Sequence, residues 1–258
     1  MVASLLALAV TAGLAHIWFG GGPRHYLAIN GVALGIALLA IAFLPPPERP
    51  RSALLASASA VAILWAPLAI GPEIEGISRW IALGPVRLHS GMLAVPVLLA
   101  LLFHVGERTK VVIVSASAAA LAMQPDRASA LALAGGMAVI AIADGGRASR
   151  VATGVSLAAL IATMANPDPL APVPFVEHVL QDAWRANAWA GILLAVVLSA
   201  ALILPVLVDR AFAPVAAAMA GFAIASLLGP YPTPLIGAGA SAILGFGLGV
   251  ALTPRRTD

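Results

Sequence analysis

Residues 165–188, ANPDPLAPVPFVEHVLQDAWRANA, form the longest stretch of this chain that is poorly suited to lipid. The chain on either side is almost entirely apolar. Proline has no backbone N–H and disfavours helical geometry in the residue before it. The first half of the stretch is therefore expected to be a stiff, non-helical lead-in. Its polar and proline residues are Asn166, Pro167, Asp168, Pro169, Pro172 and Pro174.

The second half, residues 175–185, has the pattern of a short amphipathic helix. The apolar face is Phe175, Val176, Val179, Leu180, Ala183 and Trp184, and the polar face is Glu177, His178, Gln181, Asp182 and Arg185. Such a helix is expected in the membrane interface, with its tryptophan at headgroup level. Two interpretations stay open: a surface helix that links two spans, or one whose polar face meets a polar or charged substrate.

The composition identifies an integral membrane protein with little mass outside the bilayer. Of 258 residues, 61% are hydrophobic and 10% are charged, whereas soluble domains carry roughly 25% charged residues. The chain has no cysteine, which excludes disulfides and thiolate metal sites. Its net charge of +3 comes from scattered arginines, and no basic stripe or nucleic-acid motif is present, so no nucleic-acid partner is expected.

Ten apolar runs are long enough to cross or nearly cross a bilayer. They are residues 2–19, 26–44, 52–70, 90–103, 110–123, 128–143, 150–164, 189–208, 211–228 and 235–252. The connections are short, so the sequence predicts one all-α transmembrane domain over residues 1–258, with about ten spans. Residues 2–19 are expected to remain as the first span. The region 165–188 is the extracytoplasmic loop with its interfacial helix.

The basic residues predict the orientation of the bundle. Taking the loops in alternation, one set holds nine of the fourteen basic residues: Arg49, Arg51, Arg108, Lys110, Arg147, Arg150, Arg210, Arg255 and Arg256. The other set holds Arg24, Arg79, Arg87, Arg127 and Arg185. Because cytoplasmic loops are enriched in lysine and arginine, the first set and both termini are expected inside.

Three further polar clusters fall on the predicted outer side. Residues 73–89 place Arg79 and Trp80 at the interface, with Glu73 or Glu75 as a plain structural partner for the arginine. Residues 124–127, QPDR, form a tight turn in which Asp126 can cap the next helix. Residues 229–234, GPYPTP, form a rigid turn before a glycine-rich last span. Its glycines, at positions 237, 239, 245, 247 and 249, either form a packing face, which is the favoured interpretation, or permit an irregular or moving helix.

The histidines are scattered without ligand spacing, so no metal site is predicted. His178 and Asp182 are four residues apart and could pair on one helix face, either as an acid–base couple or as a solvated pair.

Together these clusters resemble motifs of the SEDS family of polytopic membrane proteins, the RodA and FtsW type. The family pattern R-W-I-x-L-G-P is matched by Arg79, Trp80, Ile81, Leu83, Gly84 and Pro85. The pattern QPDLGTAL is matched by Gln124, Pro125, Asp126, Ala130 and Leu131, with Ser129 for threonine. The pattern P-F-I-S-Y-G-G-S is matched by Pro234, Ile236, Gly239 and Ser241.

The chain departs from the family where the family carries charge. The glutamate and lysine that follow the tryptophan motif fall on Met92 and Val95. The loop aspartate that the family uses for glycosyl transfer falls on Leu180, and two later glutamates fall on Ala188 and Trp189.

The resemblance implies a role in peptidoglycan assembly at the bacterial inner membrane, with a lipid-linked glycan precursor as ligand. An active protein would be a glycosyltransferase that uses an undecaprenyl-diphosphate substrate, with Asp182 or Glu177 as general base. Arg79 with Arg127 would bind the anion, and Trp80, Gln124, Asp126 and His178 complete the predicted substrate-binding set. No cofactor is expected beyond a divalent cation carried by the diphosphate, and a single-span transpeptidase or another membrane protein is the expected partner.

Two alternatives stay open. One is a catalytically silent relative that binds the precursor or a partner as a scaffold. The other is a small-solute transporter, which the scarcity of ionisable residues inside the spans disfavours.

Overall fold

The computed structural model describes residues 1–165 and 168–254. Asn166 and Pro167 of the lead-in, and Arg255 and Arg256 of the inner basic set, lie outside the described residues. The elements are α1 (Val2–Phe19), α2 (Arg24–Phe43), α3 (Pro50–Ile70), β1 (Trp80–Leu83), β2 (Val86–His89), α4 (Ser90–Leu101), α5 (Glu107–Met123), α6 (Arg127–Asp144), α7 (Arg147–Thr163), α8 (Val179–Ala186), α9 (Ala188–Val208), α10 (Ala213–Leu228) and α11 (Ala240–Leu252). Short 3₁₀ turns follow α4 at 102–104 and precede α10 at 210–212.

Each of the ten predicted apolar runs contains a helix, and the prediction of a polytopic helical membrane bundle is confirmed. Six of them have the length and hydropathy to cross a membrane: α1, α2, α3, α6, α9 and α10 with its 3₁₀ turn. The helices α4 and α11 are apolar but shorter. Nine helices begin within three residues of the predicted spans, whereas α11 begins five residues late.

The late start of α11 is caused by an irregular segment, residues 229–239, that is buried in protein. Leu235 has a φ of +64° and Gly239 a φ of +151°, neither of which a helix permits. The side-chain amide of Asn30, a buried residue of α2, donates to Gly237 O and accepts from Gly239 N, each at 2.9 Å. One asparagine thereby pairs two backbone groups that lipid could not satisfy.

A small antiparallel hairpin, β1–β2, interrupts the otherwise helical fold and was not predicted from the sequence. Trp80 pairs with His89 and Leu83 with Val86, so the loop contains two residues, Gly84 and Pro85. Gly84 has a φ of +59°, which suits the first position of a two-residue hairpin loop.

The outer loop ends in the amphipathic helix α8, which is shorter than predicted. Phe175 and His178 have φ values of +65° and +57°, so helical geometry starts only at Val179. Val179 and Ala183 are buried, whereas Trp184 is 57% exposed, as expected for an interfacial helix. Asn187 ends α8 and caps α9, because its side-chain oxygen accepts from Trp189 N at 2.9 Å.

The loops segregate to two ends of the bundle as the arginine pattern predicts. At the end predicted to be cytoplasmic, Lys110 donates to Glu107, Asp144 and Ser149 at 3.0–3.1 Å and joins α5, α6 and α7. In α11 the glycines form a packing face, since a Cβ at Gly247 would lie 2.5 Å from the Cβ of Ala37 and one at Gly249 3.0 Å from Pro96 O. The packing interpretation holds for the three glycines inside α11, whereas Gly237 and Gly239 lie in the irregular segment before the helix, as the alternative interpretation allowed.

Candidate functional site

A cavity of about 500 Å³ opens at the end of the bundle predicted to be extracytoplasmic. We call it the outer cavity. Its walls come from the first turn of α2, the hairpin, the outer loop and the irregular segment before α11. The lining residues that bear charge, an imidazole or an aromatic ring are His25, Tyr26, Glu75, Arg79, Trp80, Arg87 and Glu177. This volume lies in the range of ligand pockets, about 300–1,000 Å³.

Arg79 lines the cavity, but its guanidinium already forms an ion pair with Asp168. Its guanidinium donates to Asp168 of the outer loop at 2.7 Å, and the two side chains are 1% and 4% exposed. The guanidinium also lies 4.8 Å from the Trp80 ring centroid and 5.2 Å from that of Tyr231. Arg79 therefore pairs with Asp168 and not with Glu73 or Glu75, and it ties the outer loop to the hairpin.

Glu177 is the predicted catalytic carboxylate that lines the cavity. One carboxylate oxygen accepts from Val173 N at 2.5 Å, and the side chain is partly buried. Burial raises the pKa of Glu177 to about 7, against the opposing effects of that hydrogen bond and of Arg79. A carboxyl group with such a pKa exchanges protons near neutral pH, which suits a general base.

Arg87, on β2, supplies a second cation to the same cavity and was not among the predicted site residues. It is exposed, and among the described residues no carboxylate lies within 4 Å of its guanidinium. It also lines a smaller hollow of about 70 Å³ that continues towards His89 and Ser241. Arg87 is therefore available for an anionic ligand, whereas Arg79 is paired.

Asp182 and His178, two other predicted site residues, do not line the outer cavity. The Asp182 carboxylate accepts from Arg185 at 3.2 Å on the exposed face of α8. Its backbone N–H donates to His178 O in the first turn of the helix. A catalytic role for Asp182 and a substrate-binding role for His178 stay predictions, and the geometry assigns both residues to a different face from Glu177.

Gln124 and Asp126 are fully buried at the junction of α5 and α6. Asp126 caps α6 by accepting from Ser129 N at 3.1 Å, so the predicted cap is confirmed. The side chain of Gln124 donates to Leu64 O and accepts from Ser90 Oγ. Gln124 thus connects α5 to α3 and α4, whereas Asp126 holds the first turn of α6, and neither residue lines the outer cavity. Their predicted substrate-binding role would therefore act through positioning.

His89 extends this buried cluster towards the cavity. Its Nδ1 accepts from Met92 N at 3.3 Å, and its backbone N–H donates to Ser241 Oγ at 2.7 Å. Burial lowers the pKa of His89 to about 4, so the imidazole is neutral and its proton is on Nε2. That atom lies 3.6 Å from Asp126 Oδ2, too far for a hydrogen bond.

Arg127 spans the N-terminus of α6 and the C-terminus of α7. Its Nε donates to Thr163 O at 3.1 Å and its Nη2 to Met164 O at 3.4 Å. These contacts suit a cation at a helix C-terminus. Arg127 lies at the same end of the bundle as the outer cavity but does not line it, and its predicted binding of an anion stays a prediction.

Backbone strain concentrates where the outer loop meets the irregular segment. Phe175 and His178 on one side and Leu235 on the other have positive φ values. The two segments are joined by hydrogen bonds from Thr233 N to Val176 O at 2.9 Å and from Ala238 N to Phe175 O at 2.7 Å. Strained non-glycine residues cluster at functional sites and persist only where the surroundings enforce them.

Two residues of the site, Asp168 and Arg87, were not predicted from the sequence. Asp168 lies among prolines, which predict only a stiff lead-in. Arg87 lies in a hairpin whose strands are too short to show an alternating pattern of apolar and polar residues. The charges of the outer loops could have indicated both residues. A buried Arg79 requires an acidic partner, which points to an aspartate or glutamate such as Asp168. Arg87 lies only eight residues after Arg79, in the same outer loop.

The fold of this chain is similar to those of solved membrane proteins. No protein-family model and no curated protein matches the sequence. The crystal structure of the Thermus thermophilus rod shape determining protein RodA has a TM-score of 0.72 and 20% identity to this chain, covering 97% of this chain and 93% of RodA. An aspartate-to-alanine variant of that RodA gives the same TM-score and identity, covering 97% of this chain and 94% of the variant.

A third structure comes from work on the structural coordination of polymerization and crosslinking by a peptidoglycan synthase complex. It has a TM-score of 0.63 and 21% identity, and covers 97% of this chain and 96% of that chain. Similarity at this level of identity shows the fold. The chain is a multi-pass helical membrane protein with the RodA-type fold, as its resemblance to the SEDS family implies.

Proposed function

We propose that this protein acts in peptidoglycan assembly at the bacterial inner membrane, where it binds a lipid-linked glycan precursor in the outer cavity and polymerises it. The observation that carries the proposal is the position of Glu177, a partly buried carboxylate with a pKa of about 7 in a cavity that also contains arginine. The RodA-type fold supports the choice of precursor.

In the proposed reaction Glu177 is the general base. Its carboxylate accepts the proton of a sugar hydroxyl on the acceptor, and that oxygen forms a bond to the anomeric carbon of the donor. The bond between this carbon and the diphosphate oxygen breaks, and the lipid diphosphate leaves with the electron pair. Cationic groups near the leaving oxygens stabilise the charge that develops in the transition state.

Arg87 is the proposed ligand of the diphosphate, because its guanidinium is exposed to the cavity and has no carboxylate partner among the described residues. Arg79 contributes less directly, since its charge is balanced by Asp168. Trp80 offers an aromatic wall against which the apolar face of a sugar ring can pack.

A second candidate is precursor binding without polymerisation. It is favoured by Leu180, a partly buried apolar residue of α8 at the position where the resemblance places the family's loop aspartate. In that case the outer cavity presents the precursor, or the bundle serves as a scaffold for a membrane partner.

The test is polymerisation of labelled lipid-linked precursor by the purified full-length protein in detergent. We expect polymer with the unmodified chain, its loss in Glu177→Gln, and its retention in the control Glu73→Gln, which changes an exposed carboxylate outside the cavity. Loss in Asp182→Asn but not in Glu177→Gln would move the base to α8. Precursor binding with no polymer from the unmodified chain would support the second candidate.

A further inference from the structure

A second concave surface lies at the opposite end of the bundle, away from the outer cavity. It is a groove of about 850 Å³ between the ends of α6 and α9, the start of α10 and the residues after α4 and α11. We call it the inner groove. Its lining includes small residues and prolines, namely Ala143, Ala211, Ala213, Pro214 and Pro254.

The walls of the inner groove are apolar and face outward. Phe103 is 43% exposed, Ile142 83% and Leu207 75%. These residues belong to the turn after α4, to α6 and to α9, so the groove lies between helices along the side of the bundle. Exposed side chains of this kind in a membrane protein are in contact with hydrocarbon.

The apolar lining of the inner groove contains one charged side chain among the described residues, that of Arg210. Arg210, in the 3₁₀ turn before α10, is the charged residue among the described residues that line the groove, and it is exposed. No carboxylate of the described residues lies within 4 Å of its guanidinium. The neighbouring Asp209 uses its carboxylate to accept from Ala211 N at 2.9 Å.

Arg210 also lies at the end of the bundle that the arginine distribution assigns to the cytoplasm. The cytoplasmic leaflet is rich in anionic lipids, and basic pockets between transmembrane helices on this side bind their headgroups. An apolar groove that ends in an arginine with no carboxylate partner in the part of the chain that the structure describes matches the two halves of such a lipid, an acyl chain and a phosphate.

We infer that the inner groove binds one anionic phospholipid of the cytoplasmic leaflet, with its phosphate on Arg210 and an acyl chain along Phe103, Ile142 and Leu207. The inference does not depend on the proposed function, because it concerns the opposite end of the bundle and different residues.

The test is titration of the purified full-length protein with phosphatidylglycerol and with phosphatidylcholine of the same acyl chains, with bound lipid counted by native mass spectrometry. One arginine near the membrane surface contributes about 1 kcal/mol, so we expect phosphatidylglycerol to bind about fivefold tighter. Arg210→Gln should abolish this preference, and Ala143→Trp, which fills the groove, should weaken binding of both lipids.

The matched control is Arg150→Gln, which removes an exposed arginine on the same predicted side but outside the groove. It should leave the preference unchanged. Equal affinity for the two lipids in the unmodified protein would overturn the inference. So would an equal loss of preference in Arg210→Gln and Arg150→Gln, because the effect would then come from overall charge. Unchanged thermal unfolding of each variant shows that the lipid effect does not come from misfolding.

Discussion

The guanidinium of Arg79 donates to the carboxylate of Asp168 at 2.7 Å, and both side chains are almost completely buried. The two residues are 89 positions apart in the chain, so the contact joins the hairpin to the outer loop directly beside the cavity. A buried ion pair is sensitive to the loss of one partner, because the remaining charge is left in a poorly hydrated place.

Asp168→Asn should therefore strongly destabilise the protein. The change keeps the side-chain shape but leaves the charge of Arg79 uncompensated, which costs about 3–5 kcal/mol. The measurement is thermal unfolding of the full-length protein in detergent, followed by tryptophan fluorescence.

The matched control for this change is Asp182→Asn, which breaks the exposed pair of Asp182 and Arg185 at 3.2 Å. Exposed pairs contribute about 0–1 kcal/mol, so its Tm should stay close to that of the unmodified protein. Equal Tm values for the two variants would show that the buried pair adds nothing to stability.

Asn30→Ala should destabilise the irregular segment before α11. The amide of Asn30 pairs both Gly237 O and Gly239 N, and each buried group left without a partner costs about 1–3 kcal/mol. We expect a lower Tm and faster hydrogen exchange at residues 235–239, measured by mass spectrometry. Thr11→Ala serves as the control, since Thr11 is exposed and bonds only to carbonyls of its own helix. Unchanged exchange in Asn30→Ala would refute the assigned role.

Glu177 should give the protein opposite pH dependences of stability and activity. Its pKa is raised from 4.5 to about 7 by burial, so the folded protein binds the proton more tightly than the unfolded chain does. The stability from this group is complete below about pH 4.5 and is lost as the pH rises through about 7. The basic form that the proposed reaction requires increases over the same range.

The measurement is Tm and initial polymerisation rate between pH 5 and pH 8. Glu177→Gln should remove the part of the Tm profile that belongs to this group. A profile identical to that of the unmodified protein would place the pKa of Glu177 in its ordinary range. The Tm measurement tests the raised pKa of Glu177 whether or not the protein is an enzyme.

Gly91→Ala should disrupt the contact of α4 with α6. A Cβ at this position would lie 2.5 Å from the Cβ of Ser129 and would also meet Ser129 Oγ. Overpacking of this kind costs about 1–3 kcal/mol. The double variant Gly91→Ala with Ser129→Gly should recover part of the lost Tm, because it removes both clashing atoms. No recovery in a double-mutant cycle would mean that another neighbour, such as Asp126, causes the loss.

The helices of the bundle could be predicted because hydrocarbon enforces one local rule. Every backbone polar group in lipid must be paired within its own segment, so a long apolar run becomes a helix whatever its neighbours are. The same rule explains where prediction of the last span failed. Residues 235–239 are apolar but not helical, because Asn30, which precedes Gly237 by 207 positions and Gly239 by 209, supplies the missing backbone partners.

The candidate site could be predicted only in part. Arg79, Trp80 and Glu177 line the outer cavity as their placement in outer loops suggests. From the sequence, Asp182 and Glu177 were equally good candidates, because both are carboxylates on the polar face of the same amphipathic pattern. The difference arises because positive φ values at Phe175 and His178 keep Glu177 out of α8, which begins only at Val179, and Glu177 lines the cavity instead.

The sequence by itself determined the membrane class, the limits of most helices, and which loops share an end of the bundle. Hydropathy and arginine counts are local quantities that lipid and headgroups act on without reference to the fold. Only the tertiary structure decided that Arg79 is paired with Asp168, and that Arg87 and Arg210 have no carboxylate partner among residues 1–165 and 168–254. Whether a charge is balanced depends on contacts between distant parts of the chain, which no local pattern specifies.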